Sequence, residues 1–178
     1  MHARARLAGH PGGSGASPAL PGCTGGPALT ILNGFAEPTL RLPRLEYLKL
    51  IAHCYDGLPD EACGLLAGRL QPGTVVPDGR VDVVYPTVNA DASARTYSVD
   101  SRDLIRSLRA AEALGLELVG VFHSHTHTEA WPSPTDVRQA MEPGWLYVIV
   151  SLKDGDPVLR SFRITDGNIQ ETPVVLES

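Results

Sequence analysis

The hydrophobic runs that follow residue 38 predict a strand, a helix and two further strands. LRLP has the pattern of a short strand, and Pro43 and Gly57 are suited to open and close the helix that follows it. The apolar positions of this helix predict one inward face: Leu45, Leu48, Ala52 and Tyr55. ACGLLAGRL and RVDVVYPTVNA then predict two strands, separated by the turn residues of QPGTVVPDG.

Further along the chain, a second helix precedes a buried strand and a group of hairpins. Residues 100–114 have helical spacing, with Leu104, Leu108 and Ala111 inward and Gly115 at the end, and LELVGVF follows as a buried strand. WLYVIVSL, VLRSFRI and IQETPVVL predict strands joined by the tight turns DGD and TDGN, as in antiparallel hairpins. These elements predict an α/β or α+β sandwich, in which helices pack against a curved mixed β-sheet.

The first 38 residues differ in composition from the rest of the chain. They hold eight of the 18 glycines and five of the 15 prolines, with almost no apolar periodicity. Such a segment buries too little apolar surface to offset its ordering entropy, so we expect a disordered tail at residues 1–38 and one folded domain at 39–178. A linker and an upstream translation start both fit this composition.

Composition excludes several classes of function for the folded domain. A chain of 178 residues that is 43% hydrophobic and 20% charged is typical of a globular protein with a substantial core. The net charge of -5 and the lack of a basic stripe argue against nucleic-acid binding, and no apolar run predicts a membrane span or a signal peptide. Three scattered cysteines favour reduced thiols in a cytoplasm over a disulfide framework.

The segment HSHTHTEAWPSPTD, at residues 123–136, carries the strongest chemical signal. In an extended strand, residues two apart project from the same face, so the imidazoles of His123 and His125 are expected to point together. Asp136 adds a carboxylate after a short loop. Two nitrogens and one oxygen leave a fourth tetrahedral position open to water, which is typical of catalytic rather than structural zinc.

Each part of this segment also has an ordinary structural interpretation. Ser133, Pro134 and Asp136 match a helix N-terminus, with the serine as N-cap, the proline at the first helical position and the acid at the third. A His-x-His pair on a strand is, by itself, more often two ordinary histidines than a ligand pair. The two interpretations of Asp136 are compatible, because a side chain at a helix start can face both the loop and a metal ion.

The spacing H-S-H, seven residues, S, two residues, D resembles the signature of the JAMM (MPN-plus) metalloproteases, and residues 123–136 match it in full. The family also carries a distant upstream glutamate, and LPDEACGLLAG supplies Glu61 in a similar context. The resemblance covers roughly residues 40–178. It implies the JAMM/MPN fold, which is cytidine-deaminase-like, and a Zn²⁺ ion held by three ligands: His123, His125 and Asp136.

The chemistry of amide hydrolysis assigns roles to two further residues. A bound zinc ion makes a water molecule acidic near pH 7, and a carboxylate beside the metal can take a proton from that water and pass one to the departing amine. Glu61 is the candidate for this role, although without the family context a solvated loop acid would be the simpler interpretation. Ser133 is the candidate hydrogen-bond donor to the developing oxyanion.

Two nearby residues offer alternative ligands. His127 has the strand parity of the other two histidines and would replace Asp136 if the strand continued, but residues 126–131 have the composition of a loop. Cys63 shares strand parity with Glu61, and a thiolate binds zinc strongly. A small buried thiol is the alternative interpretation of Cys63, and the one that we favour.

Three functions remain open on the sequence. TEAWPS and RSFRITDG resemble the small bacterial branch of the family that hydrolyses cysteine from a ubiquitin-like sulfur-carrier protein. This resemblance implies a peptidase that acts after the C-terminal Gly-Gly of such a carrier. An isopeptidase that removes ubiquitin-like modifiers from lysines would use the same five site residues. A non-catalytic MPN scaffold would not need all of them: Glu61, His123, His125, Ser133 and Asp136. The sequence leaves the oligomeric state open.

Overall fold

The computed structural model describes residues 39–73, 77–140 and 142–178, so the tail predicted at residues 1–38 lies outside the described residues. The helices are α1 (Arg44–Asp56), α2 (Ser101–Ala113) and α3 (Pro134–Gln139). The strands are β1 (Leu40–Pro43), β2 (Cys63–Leu70), β3 (Pro77–Thr87), β4 (Glu117–His125), β5 (Leu146–Ser151), β6 (Val158–Thr165), β7 (Asn168–Thr172) and β8 (Val174–Glu177). In this part of the chain, no helix is long and apolar enough to cross a membrane.

The strands form one mixed sheet in the order β7-β6-β5-β4-β2-β3-β1-β8. β4 pairs with β5 in parallel, and β1 is parallel to both of its neighbours, while the remaining pairs are antiparallel. The edge strands β7 and β8 are separated in the chain by Pro173 alone, so the sheet must curve until its two edges approach each other. The predicted curved mixed sheet is therefore confirmed, and β5, β6 and β7 pair as the predicted antiparallel hairpins. IQETPVVL was predicted as one strand, but it is divided at Pro173 into β7 and β8, which lie at opposite edges of the sheet.

The strand β4 is buried on both faces, which determines where its last residues point. Phe122 belongs to an apolar cluster that also contains Leu50 and Cys54 of α1. Val121 belongs to a second cluster, on the other face, against which Val137 of α3 packs. Because side chains alternate along a strand, the odd-numbered residues that end β4 face α3 and the even-numbered ones face α1.

The orientation of α1 differs from the sequence prediction. Leu45 and Leu48 were expected to face inward, but they are 79% and 54% exposed, and Ala52 and Tyr55 are exposed as well. The buried residues are instead Leu50, Ile51 and Cys54. Glu46 explains the rotation: its carboxylate accepts a hydrogen bond of 2.6 Å from the backbone N–H of Val84, which holds the Glu46 and Leu50 side of the helix against β3.

The predicted inward face of α2 is also partly wrong. Leu104 and Leu108 are each 39% exposed, whereas Ser107 and Ala111 are buried. Ala111 faces inward as predicted. Small side chains let a helix backbone approach a sheet closely, so Ser107 makes the contact that Leu104 and Leu108 were expected to make. The predicted ends are confirmed: Asp100 caps the helix through Arg102 N–H and Asp103 N–H, and Gly115 follows with a φ of 67°.

A glycine in β2 lets the central strands pack closely. A Cβ atom added at Gly64 would clash with the ring of Phe122 on β4 and with the carbonyl oxygen of Tyr85 on β3. Because one of these neighbours is backbone within the sheet, Gly64→Ala is expected to lower the free energy of unfolding by about 2–3 kcal/mol. Urea denaturation would measure the loss, and Gly73→Ala, where a Cβ meets open space at a φ of 73°, should cost less.

Candidate metal centre

The two histidines that end β4 form one side of the candidate centre. His123 and His125 lie on the same face of the strand, as predicted, and their Nε2 atoms are 3.0 Å apart. Both are buried, with 2% and 3% of their surface exposed. Ser124, between them, points to the opposite face, where its hydroxyl oxygen accepts the backbone N–H of Ala62 at 2.8 Å.

The first turn of α3 brings the third side chain to this pair. Ser133 and Asp136 form a reciprocal capping box, in which the Asp136 carboxylate accepts the Ser133 N–H at 2.6 Å and the Ser133 hydroxyl accepts the Asp136 N–H at 3.2 Å. The same carboxylate lies 3.4 Å from His123 Nε2 and 3.5 Å from His125 Nε2. Asp136 therefore serves as a cap while its carboxylate also faces the imidazoles.

The separations of these atoms fit one tetrahedrally coordinated ion. Potential ligand atoms of His123, His125 and Asp136 all lie within 4.8 Å of one another. Two ligands at about 2.1 Å from a tetrahedral zinc ion are about 3.4 Å apart, which is close to the three distances above. The donor set of two imidazoles and one carboxylate suits zinc and leaves one coordination position for water or substrate.

The electrostatics differ among the members of the cluster. The pKa of His125 is raised: burial acts in the opposite direction, but hydrogen bonds to Asp136 and to the Glu129 carbonyl outweigh it. Burial lowers the pKa of His123, although the hydrogen bond and charge of Asp136 act in the opposite direction. The pKa of the Asp136 carboxyl lies well below its usual range: burial opposes this shift, but hydrogen bonds from His123 and His125 outweigh it. Metal coordination requires neutral imidazoles and an ionised carboxylate. His123 and Asp136 favour these forms, whereas a metal ion bound here would displace the proton that is favoured on His125.

The loop after β4 fixes the orientation of the His125 ring. Its Nδ1 atom lies 2.7 Å from the backbone carbonyl of Glu129 and 3.0 Å from the hydroxyl of Thr128. Because a carbonyl oxygen can only accept, Nδ1 carries the proton and donates it to Glu129. When the ring is neutral, this proton on Nδ1 leaves the Nε2 lone pair of His125 directed at the centre, as metal-ligating histidines require.

Glu61 lies beside the histidine pair, two residues before the first residue of the neighbouring strand β2. β2 and β4 are antiparallel, with Cys63 opposite His123, and continuing this register by two residues places Glu61 opposite His125. The two residues between them exchange hydrogen bonds of 2.8 and 2.9 Å, which confirms the alignment. Directly opposed residues project to the same face, so the Glu61 side chain shares a face with the imidazoles.

The environment of Glu61 changes its acidity. The residue is 6% exposed, and burial raises the pKa of its carboxyl to about 7, with a further upward contribution from the Asp136 charge and a downward one from His125. A carboxyl group that titrates near neutral pH can both accept and return a proton under physiological conditions. Glu61 lies outside the group of potential metal ligands in the described residues.

The alternative ligands do not join the cluster. His127 is exposed, and it lies outside the group of potential ligands found in the described residues. The Cys63 thiol points to the Thr87 hydroxyl at 3.4 Å, and burial raises its pKa to about 11. Cys63 therefore has the environment of a structural thiol. His53, on α1, lies 3.1 Å from two backbone carbonyls of the sheet.

Two residues near the centre were missed by the sequence analysis. The ring of Tyr97 stacks on His123, with 4.3 Å between ring centroids and 20° between planes. The side chain of Asn89 donates a hydrogen bond of 2.9 Å to the carbonyl of Glu61. Both belong to a segment between β3 and α2 that has no apolar period, and a single sequence offers no signal that such a loop returns to the metal strand.

Comparisons with known proteins agree with this geometry. A family model described as prokaryotic homologs of the JAB domain matches residues 45–165, a range that includes every residue of the candidate centre. A CysO-cysteine peptidase of Mycobacterium tuberculosis is 43% identical over 128 residues, which cover 70% of this chain and 82% of that protein. A probable TtuB-protein conjugate cleaving protease of Thermus thermophilus is 33% identical over 146 residues, which cover 80% of this chain and 86% of that protein.

The fold is also shared with a solved structure. The solution structure of a protein from Desulfitobacterium hafniense aligns with a TM-score of 0.69 and 36% sequence identity. The alignment covers 77% of this chain and 92% of that one. The predicted fold, with helices packed against a curved mixed sheet, is therefore shared with an experimentally determined structure.

Proposed function

Since this chain belongs to the family of prokaryotic homologs of the JAB domain and is a metallopeptidase of the JAMM type, we propose that it acts on a ubiquitin-like sulfur-carrier protein. It hydrolyses the amide bond after the C-terminal Gly-Gly of the carrier and releases cysteine. The observation that carries the proposal is the buried group of His123, His125 and Asp136, with Glu61 opposite, in a chain 43% identical to a CysO-cysteine peptidase. A reducing cytoplasm is the proposed compartment, because Cys54 and Cys63 are free thiols.

The proposed metal ion is Zn²⁺, held by His123, His125 and Asp136. When bound, zinc supplies Lewis acidity that polarises a carbonyl group and makes water acidic near neutral pH. The protein contributes the orientation of the ligands: the Glu129 carbonyl fixes the tautomer of His125, and the capping box fixes the carboxylate of Asp136. These supports keep the ligand atoms in place before a metal ion binds.

Glu61 is the proposed proton-transfer residue. Its carboxylate takes a proton from the attacking water as the water oxygen forms a bond to the scissile carbonyl carbon. It then gives a proton to the amine nitrogen of the departing cysteine as the carbon–nitrogen bond breaks. The raised pKa of Glu61, caused chiefly by burial, suits both transfers near neutral pH.

Ser133 is the proposed oxyanion donor. Its hydroxyl oxygen accepts a hydrogen bond from the Asp136 N–H, and a hydroxyl that accepts in this way keeps its own proton available to donate. Ser133 is the N-cap of α3, and its backbone N–H donates to the Asp136 carboxylate at 2.6 Å, so the residue lies beside a proposed metal ligand. A donor of this kind contributes on the order of 10²–10³ in rate.

The isopeptidase function is the second candidate, because a relative 33% identical to this chain is a probable conjugate cleaving protease. A non-catalytic scaffold is disfavoured, since the metal ligands, Glu61 and Ser133 are all retained. The proposed function is tested directly by incubating zinc-loaded protein with a carrier that ends in Gly-Gly-Cys and measuring intact mass. Loss of one cysteine residue supports the peptidase function, and an unchanged mass excludes it for that carrier.

A competition experiment distinguishes the two candidates. A carrier that ends in Gly-Gly-Cys and the same carrier joined to a lysine side chain are mixed in equal amounts, and the first is expected to be cleaved at least about 10-fold faster. The reason is that a pocket shaped for a small free amino acid clashes with a longer chain. Mass spectrometry of both substrates gives the ratio, and equal cleavage would favour the isopeptidase.

Trp131 is the residue to test as a wall of this pocket. Its ring is 45% exposed, and it packs edge-on against Phe162 with the Arg160 guanidinium 5.0 Å from the ring centroid. It therefore contacts the sheet and also presents a face to solvent in the loop between the ligands. A Trp131→Ala variant with the native substrate ratio would show that the residue does not contribute to selectivity.

A further inference from the structure

The loop of residues 90–98, which joins β3 to α2, contacts the candidate centre from two directions. The carbonyl of Ser93 accepts the backbone N–H of Glu61 at 2.9 Å. The ring of Tyr97 stacks on His123. One short loop therefore contacts both the proposed proton-transfer residue and a proposed metal ligand.

Asn89, at the base of this loop, uses every hydrogen-bonding position of its side-chain amide. Its Nδ2 group donates to the carbonyls of Glu61 at 2.9 Å and Thr96 at 3.0 Å. Its Oδ1 atom accepts the backbone N–H groups of Asp91 at 3.0 Å and Ser98 at 3.1 Å. The orientation of the amide is fixed by chemistry, since a flipped amide would place its oxygen against two carbonyl oxygens.

The peptide group between Glu61 and Ala62 is held at both of its ends. Its carbonyl accepts from Asn89 Nδ2 at 2.9 Å, and its N–H donates to Ser124 Oγ at 2.8 Å. Ser124 is fully buried and lies between the two histidines of β4. Rotation of this peptide would change the direction of the Glu61 side chain, so the two hydrogen bonds restrict where the carboxylate can lie.

We propose that Asn89 is a positioning residue: it fixes the peptide of Glu61 against the 90–98 loop and thereby holds the Glu61 carboxylate beside the metal ligands. The inference rests on the proton-transfer role of Glu61 in the proposed function. A carboxylate that moves protons must lie within hydrogen-bond reach of the reacting atoms, and a misplacement of about 1 Å can lower the rate by 10²-fold. Asn89 touches no reacting atom and acts through Glu61.

The first test is Asn89→Asp, which keeps the size of the side chain and its two acceptor contacts but removes both donors. We expect kcat for the Gly-Gly-Cys carrier to fall by about 10- to 100-fold, with KM changed less than about threefold and zinc content unchanged. The matched control is Asn168→Asp at the first residue of β7, where the side chain is exposed. This control is expected to keep the native kcat.

A double-mutant cycle separates positioning from a general loss of structure. In a Glu61→Gln background, Asn89→Asp is expected to lower the residual rate by no more than about twofold, because the group through which it acts is already removed. An equal fall in both backgrounds would overturn the proposal. Circular dichroism at the assay temperature confirms that each variant is folded.

Backbone amide exchange gives a readout that does not depend on activity. In Asn89→Asp, the Ala62 N–H group is expected to exchange at least about 10-fold faster, because the peptide to which it belongs has lost one of its two anchors. Unchanged exchange would overturn the positioning role. If the native protein does not cleave the carrier, the proposed function fails, and the exchange rates still decide whether Asn89 holds Glu61.

Discussion

Replacing either His123 or His125 by alanine is expected to remove zinc from the protein and to abolish peptidase activity. Each variant leaves two of the three ligands. Removing a residue that only orients a ligand lowers metal affinity by up to about 100-fold, so removing a ligand itself should lower the affinity for zinc by more than this. Elemental analysis after gel filtration should find about one zinc ion per native chain and less than about 0.1 per variant chain.

The matched control for this prediction is His127→Ala. His127 lies two residues after His125, the last residue of β4. It is exposed and lies outside the cluster of potential ligands in the described residues. It should keep the native zinc content and the native rate. Full zinc content in both the His123 and the His125 variants would place the metal site elsewhere in the chain.

The grouping of His123, His125 and Asp136 could be predicted from the sequence because it depends on local geometry. His123 and His125 are two residues apart on a strand, so their parity alone fixes a shared face. Asp136 follows a serine N-cap at the start of α3, and the capping box that this pattern predicts also directs its carboxylate to the histidines. Neither step requires knowledge of distant contacts.

The rotation of the helices could not be predicted in the same way. α1 carries apolar residues on more than one side, and the choice between them is made by the contact of Glu46 with the β3 backbone, a pairing between residues 38 positions apart. In α2, Ala111 is buried as predicted, but Ser107 is buried in place of Leu104 and Leu108, because a close approach to the sheet outweighs the burial of larger side chains. Hydrophobic periodicity does not contain this information.

The surroundings of Glu61 show the same limit. Its identification required the family resemblance, since a lone glutamate after Pro59 and Asp60 has no local pattern that distinguishes it from a surface acid. The structure supplies what the sequence lacked: the register between β2 and β4 places it opposite His125, and Asn89 holds its backbone. Long-range pairing between strands is the step that a local pattern cannot encode.

Glu61→Gln is expected to retain about one zinc ion per chain and to lose at least about 10²-fold in kcat. Glutamine has the size and nearly the shape of glutamate, so the main chain contacts of residue 61 with Ser93 and Asn89 are preserved. The amide cannot take a proton from water or deliver one to the departing amine. Elemental analysis and a mass-based rate measurement on the Gly-Gly-Cys carrier give the two quantities.

The two measurements together assign the role of Glu61, because a ligand and a proton-transfer residue respond differently. If zinc were lost with activity, Glu61 would be a ligand, and the tetrahedral site of His123, His125 and Asp136 would have no open position for substrate. A rate within about threefold of the native one, with zinc retained, would move proton transfer to another group. The neighbouring Asp60→Asn makes the same acid-to-amide change one residue away, outside the potential ligand group of the described residues, and should leave both zinc content and rate unchanged.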